Sequence, residues 1–215
     1  MTDYFQRFKD LKAKDEKIIE IEKQPLIRRI FYREPFIYLD NEKKFRLGTE
    51  PRMLRALEKD NEGIIYAISP HCVYRFTLKD EIMTPTHSAN IDIEVTDIHP
   101  VAAGNNSTVI MCGKKWPDSG FRQHCGVRLL DLDNSNNIEI LTREPTKKID
   151  GKQLLLTPDD NKIWLSVYEV HTHPSSSVSG STLEYIECLN DNLTARGIDI
   201  EKTIELWKNL KGWRR

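Results

Sequence analysis

Three segments of this chain share one pattern of apolar and polar residues, and this repetition constrains the fold more than any other sequence feature. The segments are VYRFTLKD at 73–80, VRLLDLDN at 127–134 and LEYIECLN at 183–190, so their starts are 54 and 56 positions apart. Each is apolar at its first, fourth and sixth positions and ends on Asp or Asn. Short apolar runs bounded by turn-forming residues are typical of β-strands. The sequence therefore predicts three equivalent strands.

Other strand-like runs lie on both sides of each repeated segment. The preceding runs are GIIYAIS at 63, STVIMCG at 107 and NKIWLSV at 161, and the following runs are IDIEVTDI at 91, NIEILT at 137 and RGIDIEKT at 196. Strand, polar loop, strand, turn and strand is the order found in one blade of a β-propeller. The repetition therefore predicts an all-β, incomplete β-propeller-like domain of three to four blades. Residues 17–47 would supply the partial fourth, because FIYLDNEKKFRL has the pattern of a hairpin with its turn at 40–43.

Helices are predicted mainly at the two ends of the chain. Residues 1–16 have apolar side chains at helical spacing, which predicts an amphipathic N-terminal helix. The propeller-like domain then spans 17–205, and residues 206–215 form a helical C-terminal tail. One internal helix is predicted at 52–59, around MLRALEK.

The runs LLLTPDDNKIWLSV at 154–167 and GVRLLDLDN at 126–134 resemble parts of WD-repeat propellers. The first is similar to the segment in which such proteins turn between the first two strands of a blade. The second is similar to their third strand with its terminal Asp. This resemblance extends over residues 63–205 and implies a β-propeller, although the sequence contains neither the GH nor the WD dipeptide of that family.

An incomplete propeller would leave sheet edges and apolar faces without a covering element. Closed propellers have at least four blades, whereas this chain supplies three clear ones. We therefore expect a second copy, a partner chain or the flanking helices to complete the structure. This expectation favours an assembly component.

The stretch EVHTHPSSSVSGSTLEY at 169–185 resembles the motif of JAMM-type metalloproteases. The resemblance implies a zinc site in which His171, His173 and Glu184 are the ligands and Ser181 orients the oxyanion. The general base would be Glu62 or Glu50 upstream. Two imidazoles and a carboxylate can hold zinc and leave one coordination position for water.

The same stretch also fits a polar loop between two strands. STLEYIECLN has strand periodicity, whereas the JAMM family begins a helix at the serine. Glu184 stands where that family has Asp, so its carboxylate would lie one methylene further from the backbone. This interpretation, with no metal and no catalytic residue, is the prediction that we prefer.

Several aromatic and basic residues are candidates for binding protein partners. Trp116, Phe121 and Arg122 lie in the loop KKWPDSGFRQHC at 114–125, and these residue types are enriched at binding hot spots. Trp207 and Trp213 lie in the C-terminal tail, where they would form the apolar side of a docking helix. The basic tail also leaves RNA as a third class of partner.

The bulk composition excludes several other classes of protein. Lys plus Arg total 32 against 33 for Asp plus Glu, so overall charge does not attract nucleic acid or an anionic membrane. The sequence contains no long apolar run, no signal peptide and no phosphate-binding loop, and its four cysteines have neither zinc-finger spacing nor the density of a disulfide scaffold. We expect a cytoplasmic or nuclear protein with reduced thiols, no cofactor and a scaffold or adaptor role. The zinc-dependent peptidase remains the alternative.

Overall fold

Antiparallel β-strands form most of the structure, as the repeated segments predict. The computed structural model describes residues 30–33, 36–39, 44–46, 53–59, 62–69, 71–79, 82–103, 107–115, 124–144, 152–172, 179–208 and 210–214. These residues form fifteen strands in four sheets and two short helices. The predicted all-β class is confirmed. The N-terminal helix predicted at 1–16 lies outside the described residues.

The first two sheets contain the strands from the N-terminal half of the chain and also the last strand. Sheet A has the order β1 (Ile30–Arg33), β2 (Phe36–Leu39) and β3 (Lys44–Arg46). Sheet B has the order β15, β4, β5, β6 and β7, where β4 is Met53–Lys59, β5 is Glu62–Ser69, β6 is Cys72–Lys79, β7 is Ile82–Asn90 and β15 is Leu210–Arg214. Strands β2 and β3 form the hairpin that was predicted with its turn at 40–43.

Two further sheets and two helices follow along the chain. Sheet C contains β8 (Glu94–Pro100), β9 (Thr108–Lys115), β10 (His124–Asp131) and β11 (Asn136–Arg143), paired in that order. Sheet D contains β12 (Gln153–Asp159), β13 (Lys162–Thr172) and β14 (Ser179–Cys188), also in order. The chain then forms α1 (Asn190–Thr194) and α2 (Ile200–Lys208) before β15. Sheets B, C and D therefore contain successive antiparallel meanders.

The three repeated segments occupy equivalent positions in these meanders. Strands β5, β9 and β13 each precede them, as predicted. The repeated segments β6, β10 and β14 are each the third strand of their meander, whereas the sequence predicts the middle strand of a three-stranded blade. For two of the three repeats, the run after the repeated segment does not form the strand predicted for it, so this part of the prediction is wrong. IDIEVTDI at 91 enters the first strand of sheet C, and RGIDIEKT at 196 forms a turn and the start of α2.

The short helix predicted for MLRALEK is also wrong, because this segment is strand β4. Its residues favour helices intrinsically, but β4 pairs with β5 on one side and β15 on the other. Met53 and Leu54 are adjacent in sequence and both are buried. Consecutive side chains of a strand point to opposite faces, so β4 is covered on both. Pairing and burial thus override local propensity.

The C-terminal tail is only partly helical. Helix α2 ends at Lys208, and Leu210–Arg214 then form β15, which pairs antiparallel with β4. Of the tail predicted as helical at 206–215, only residues 206–208 belong to the helix, and residues 210–214 form a strand instead. Through β15 the end of the chain joins the sheet that begins at Met53.

Two apolar clusters place sheet C between sheets B and D. One cluster contains Tyr66 and Val73 of sheet B together with Val109 and Met111 of sheet C. The other contains Ile110 and further side chains of sheet C, side chains of sheet D, and residues from both helices. Val109 and Ile110 alternate between these clusters because adjacent strand residues point to opposite faces. The sheets therefore stack face to face in chain order.

A glycine allows two strands of sheet C to approach closely. A Cβ on Gly113 would lie 2.2 Å from the backbone oxygen of Glu94, next to the register shift between Val95 and Asp97. We expect Gly113→Ala to lower the free energy of unfolding by about 1–3 kcal/mol, because the backbone of β8 must move. Urea unfolding followed by far-UV circular dichroism measures this change.

Gly126→Ala is the matched control for Gly113→Ala. A Cβ at Gly126 would meet the Cγ2 of Ile93 at 2.8 Å, and this side-chain methyl group can shift more easily than a backbone carbonyl. The variant should therefore be destabilised less. If both variants lost the same free energy of unfolding, the close approach of the β8 backbone to Gly113 would not explain the destabilisation.

Candidate functional site

The residues of the JAMM-like motif lie mainly on two paired strands of sheet D. His171 is in β13 opposite Gly180, whereas Ser181 and Glu184 are in β14 opposite Val170 and Val167. Ser181 and Glu184 are three residues apart in a strand, so their side chains leave opposite faces of the sheet. The strand predicted from the periodicity of STLEYIECLN is confirmed. His173 lies outside the described residues.

The fold separates the proposed base from the proposed carboxylate ligand. Glu62 begins β5 of sheet B, Glu184 lies in β14 of sheet D, and sheet C packs between these sheets. Over the part of the chain that the structure describes, no group of three His, Cys, Asp or Glu residues could hold a metal ion. The described residues therefore do not assemble the constellation that zinc catalysis would need, and Glu50 lies outside them.

The predicted binding residues fall in three different settings. Trp116, Phe121 and Arg122 lie outside the described residues. Trp213 is in β15 opposite Leu54, one position before the last pair with β4. Trp207 is in α2 and only 7% exposed, so its indole is part of the core and not of an accessible surface.

Trp207 holds α2 against the first strand of sheet C. Its Nε1–H donates a 2.7 Å hydrogen bond to the carbonyl oxygen of Pro100, and its ring stacks on His99 with 4.3 Å between centroids. The backbone N–H of Ala102 donates to Thr203 in the same helix, at 3.0 Å. The sequence predicts the apolar side of this helix as a docking surface. These contacts show that it packs against the first strand of sheet C instead.

Asp97 connects the first strands of three successive meanders. It lies in β8, and one carboxylate oxygen accepts from Arg55 Nη2 of β4 at 2.6 Å. The other accepts from the backbone N–H of Leu156 in β12 and lies 3.0 Å from His99 Nε2. The Asp97 side chain is 3% exposed and those of Arg55 and His99 are 13% and 12% exposed. This cluster is the principal charged group in the described interior.

The partners of Asp97 keep it ionised despite its burial. Burial raises the pKa of this carboxyl, but the charge and hydrogen bond of His99, the charge of Arg55 and the Leu156 amide outweigh that effect and hold the pKa below its usual range. Because its donors lie on three strands, the Asp97 carboxylate can stabilise the place where β4, β8 and β12 meet. One weak signal of this cluster is visible in the sequence, since Asp97 and His99 are polar residues at alternate positions of the strand EVTDIHP.

Arg128 forms a second buried charged cluster, in sheet C. It is 2% exposed and forms a two-point contact with Asp92, with Nε and Nη2 at 3.0 and 2.9 Å from the carboxylate oxygens. Nη1 donates to the backbone oxygens of Val127 and Leu141 and to the hydroxyl of Thr142. The Arg128 hydrogen bonds lower the pKa of Asp92 against the opposing effect of its partial burial. Nη2 also lies 3.0 Å from Glu139 Oε2, so every nitrogen of the guanidinium contacts a group of this chain.

Tyr66 and Cys125 are protonated at neutral pH. Burial raises the pKa of Tyr66 to about 12, although the charge and hydrogen bond of Arg75 lower it in part. Burial likewise raises the pKa of Cys125 to about 11. The four cysteines are free thiols, two of them buried and two half-buried, so the prediction of reduced thiols agrees with the structure. A thiol with a raised pKa is a poor nucleophile.

The outer face of sheet D carries two of the four exposed large apolar side chains among the described residues. We use this name for the face turned away from sheet C, where paired residues place Leu155, Trp164, Ser166, Tyr168, Leu183 and Tyr185 together. Leu183 is 42% and Tyr185 43% exposed, and Tyr185 lies 5.3 Å from the ring of Trp164. This surface is the candidate functional site.

The sequence of β13 indicates that apolar side chains lie on both faces of this strand. In KIWLSVY, buried Ile163, Leu165 and Val167 alternate with Trp164 and Tyr168. A strand that is apolar or aromatic on both sides is typical of one that is covered on both sides.

Comparison with protein-family models, curated proteins and solved structures gives no match to this chain. The resemblances to WD-repeat propellers and to JAMM-type metalloproteases therefore remain predictions from the sequence. Among the described helices, none is long and apolar enough to span a membrane.

Proposed function

We propose that this protein is a non-catalytic scaffold or adaptor subunit that binds protein chains in a multi-subunit assembly. Its sheets are the blades of an incomplete, WD-repeat-like β-propeller, and it acts in the cytoplasm or nucleus. In this proposal the function depends on surfaces rather than on a reactive centre or a cofactor.

The order and stacking of the sheets support the propeller interpretation. Sheets B, C and D are consecutive antiparallel meanders, and they pack face to face in chain order. The first strands β4, β8 and β12 meet at Asp97. A meeting of first strands is expected if successive blades surround a common axis.

The outer face of sheet D is the observation that carries the binding role. Exposed apolar patches on a protein surface mark contact sites, whereas single exposed apolar residues need no explanation. Here Leu183, Tyr185 and Trp164 are contiguous, and Trp and Tyr are enriched in the centres of protein interfaces.

The buried charged groups support a non-catalytic role. Asp97 and Arg128 have strong interactions, but their partners are backbone groups and side chains of neighbouring strands. A catalytic group must reach substrate, and these two groups are engaged inside the fold. Their positions are those of structural ion pairs.

The proposal is tested by purifying the tagged protein at native abundance and identifying the bound chains. We expect stoichiometric protein partners, which include further copies of this chain. Recovery of an unassociated monomer under these conditions would contradict the proposal.

Metal analysis separates this proposal from the zinc peptidase. We expect less than 0.1 zinc per chain, roughly the background of a protein without a site, and the same value in a His171→Ala, His173→Ala double variant. Stoichiometric zinc in the wild type that is absent from the double variant would contradict the scaffold role and support the zinc peptidase.

A further inference from the structure

We propose that the layer between sheets B and C holds a monovalent anion of the size of chloride against the guanidinium of Arg75. The anion accepts the hydrogen bond of Arg75 Nε–H and balances the charge of this buried side chain. This inference goes beyond the proposed scaffold role and does not depend on it, because the site lies inside the fold.

A row of polar side chains crosses sheet B on the face turned towards sheet C. Directly paired residues of an antiparallel sheet lie on the same face. The row takes one residue from each of four successive strands: Arg55, Tyr66, Arg75 and His87. Both ends of the row reach carboxylates from sheet C, since Arg55 contacts Asp97 of β8 and His87 contacts Asp133 in the turn after β10.

Arg75 forms no ion pair with a carboxylate among the described residues. It is only 9% exposed, and its Nε–H is buried with no acceptor in that part of the chain. A buried charge is tolerated only when it is paired and hydrogen-bonded. Arg75 therefore needs an acceptor that carries negative charge.

The side chains that do contact Arg75 are uncharged. Its Nη1 lies 3.4 Å from His87 Nδ1, and a guanidinium only donates, so this imidazole nitrogen accepts and carries no proton. The Tyr66 hydroxyl forms a hydrogen bond with Arg75 but stays protonated at neutral pH, since burial raises the pKa of Tyr66 to about 12. Neither contact supplies the missing negative charge.

The carboxylates at the two ends of the row are engaged by other groups. Asp97 contacts Arg55 and His99. The Asp133 side chain is 44% exposed, and the His87 ring separates it from Arg75. Positive charge thus remains in the middle of the row.

The surroundings favour a small ion with one charge. The adjacent row on the same face is apolar and buried, and it consists of Met53, Ile68 and Val73. Such neighbours cannot donate hydrogen bonds to the oxygens of a larger oxyanion. Arg55 has a second buried Nε–H without an acceptor in the described part of the chain, which adds to the attraction for an anion.

Urea unfolding of the full chain at constant ionic strength tests the proposal, with sodium gluconate replaced stepwise by sodium chloride. Gluconate matches the charge of chloride but is too large for a buried site. For a dissociation constant of about 10 mM, about 100 mM chloride should raise the folding equilibrium constant about tenfold over gluconate, and the effect should saturate. Equal stability of the wild type in the two salts overturns the proposal.

Arg75→Met removes the guanidinium that holds the anion, so the response to chloride should disappear. Arg128→Met is the matched control, because Arg128 is equally buried but already contacts Asp92 and Glu139. This control should respond to chloride as the wild type does. A response that persists in Arg75→Met, or that is lost in Arg128→Met, contradicts the assignment to Arg75. Far-UV circular dichroism in each salt checks that both variants are folded.

Bromide locates the site without any variant. Crystals of the wild type grown in sodium bromide should show one anomalous scatterer in contact with Arg75 Nε, because bromide has the charge of chloride and nearly its size. Bromide bound only at other positions, or a water molecule at Arg75 Nε, overturns the proposal.

Discussion

Replacing Asp97 with asparagine is expected to lower the free energy of unfolding by about 3–5 kcal/mol, because it leaves Arg55 buried without its carboxylate. Asparagine has nearly the same shape and can still accept from the Leu156 amide, so the loss reports mainly on the charge. Urea unfolding at pH 7, followed by tryptophan fluorescence and circular dichroism, measures the difference. Because Asp97 joins β4, β8 and β12, both probes should show one cooperative transition at a lower midpoint.

Asp133→Asn is the control for the loss of a carboxylate. Asp133 lies 3.0 Å from His87 Nε2 but its side chain is 44% exposed, and exposed pairs contribute about 0–1 kcal/mol. A change of that size is expected. If Asp97→Asn were no more destabilising than Asp133→Asn, the junction at Asp97 would not stabilise the fold.

The pH dependence of stability provides a second test of Asp97. Its pKa is lowered in the folded protein, so its contribution is present above the unfolded value of about 3.9 and is lost as pH falls towards the folded value. The difference in stability between the wild type and Asp97→Asn should therefore shrink as pH falls below about 4. A difference that grows in acid would contradict the direction of the shift.

Replacing Arg128 with methionine is expected to cost about 2–4 kcal/mol. Methionine can occupy much of the space of the arginine stem, but the carbonyl oxygens of Val127 and Leu141 lose their buried donor. Asp92 is 42% exposed, so water can solvate its carboxylate after the change and limits the loss. Urea unfolding of the variant measures the effect.

Arg143→Met is the matched control in the same sheet. Arg143 pairs with Glu187 but its side chain is 43% exposed, so we expect a change below about 1 kcal/mol. A double-mutant cycle with Asp92→Asn then measures the coupling between Arg128 and Asp92. No coupling in that cycle would mean that the backbone contacts of Arg128 or its second ion pair, with Glu139, provide the stabilisation, and not the pair with Asp92.

The sequence predicted the repeated strands better than their neighbours. β6, β10 and β14 have clear patterns because each carries apolar residues at the same relative positions of a short segment. β4 was mistaken for a helix because MLRALEK consists of good helix formers, and only its pairing with β5 and β15 makes it a strand. The pairing of β15 joins residues that are about 150 positions apart, a separation at which no local pattern carries information.

The candidate site could be predicted only in part. The motif at 169–185 drew attention to His171 and Glu184, whereas the exposed apolar residues of the same strands are Leu183 and Tyr185. The strand periodicity of this segment correctly predicted its extended conformation. Whether a strand residue is covered or exposed depends on the next sheet in the stack, and periodicity does not contain that information.

The sequence by itself determined that this protein is built of short antiparallel strands in recurring sheets, because alternation of apolar and polar residues and the turns between them are local properties. Only the tertiary structure decided which sheets stack, that Asp97 would be buried against Arg55 and Leu156, and that Leu183 and Tyr185 would remain exposed. The physical reason is that burial, buried charge and hydrogen-bond partners depend on what lies across the gap between sheets. Those partners come from distant parts of the chain.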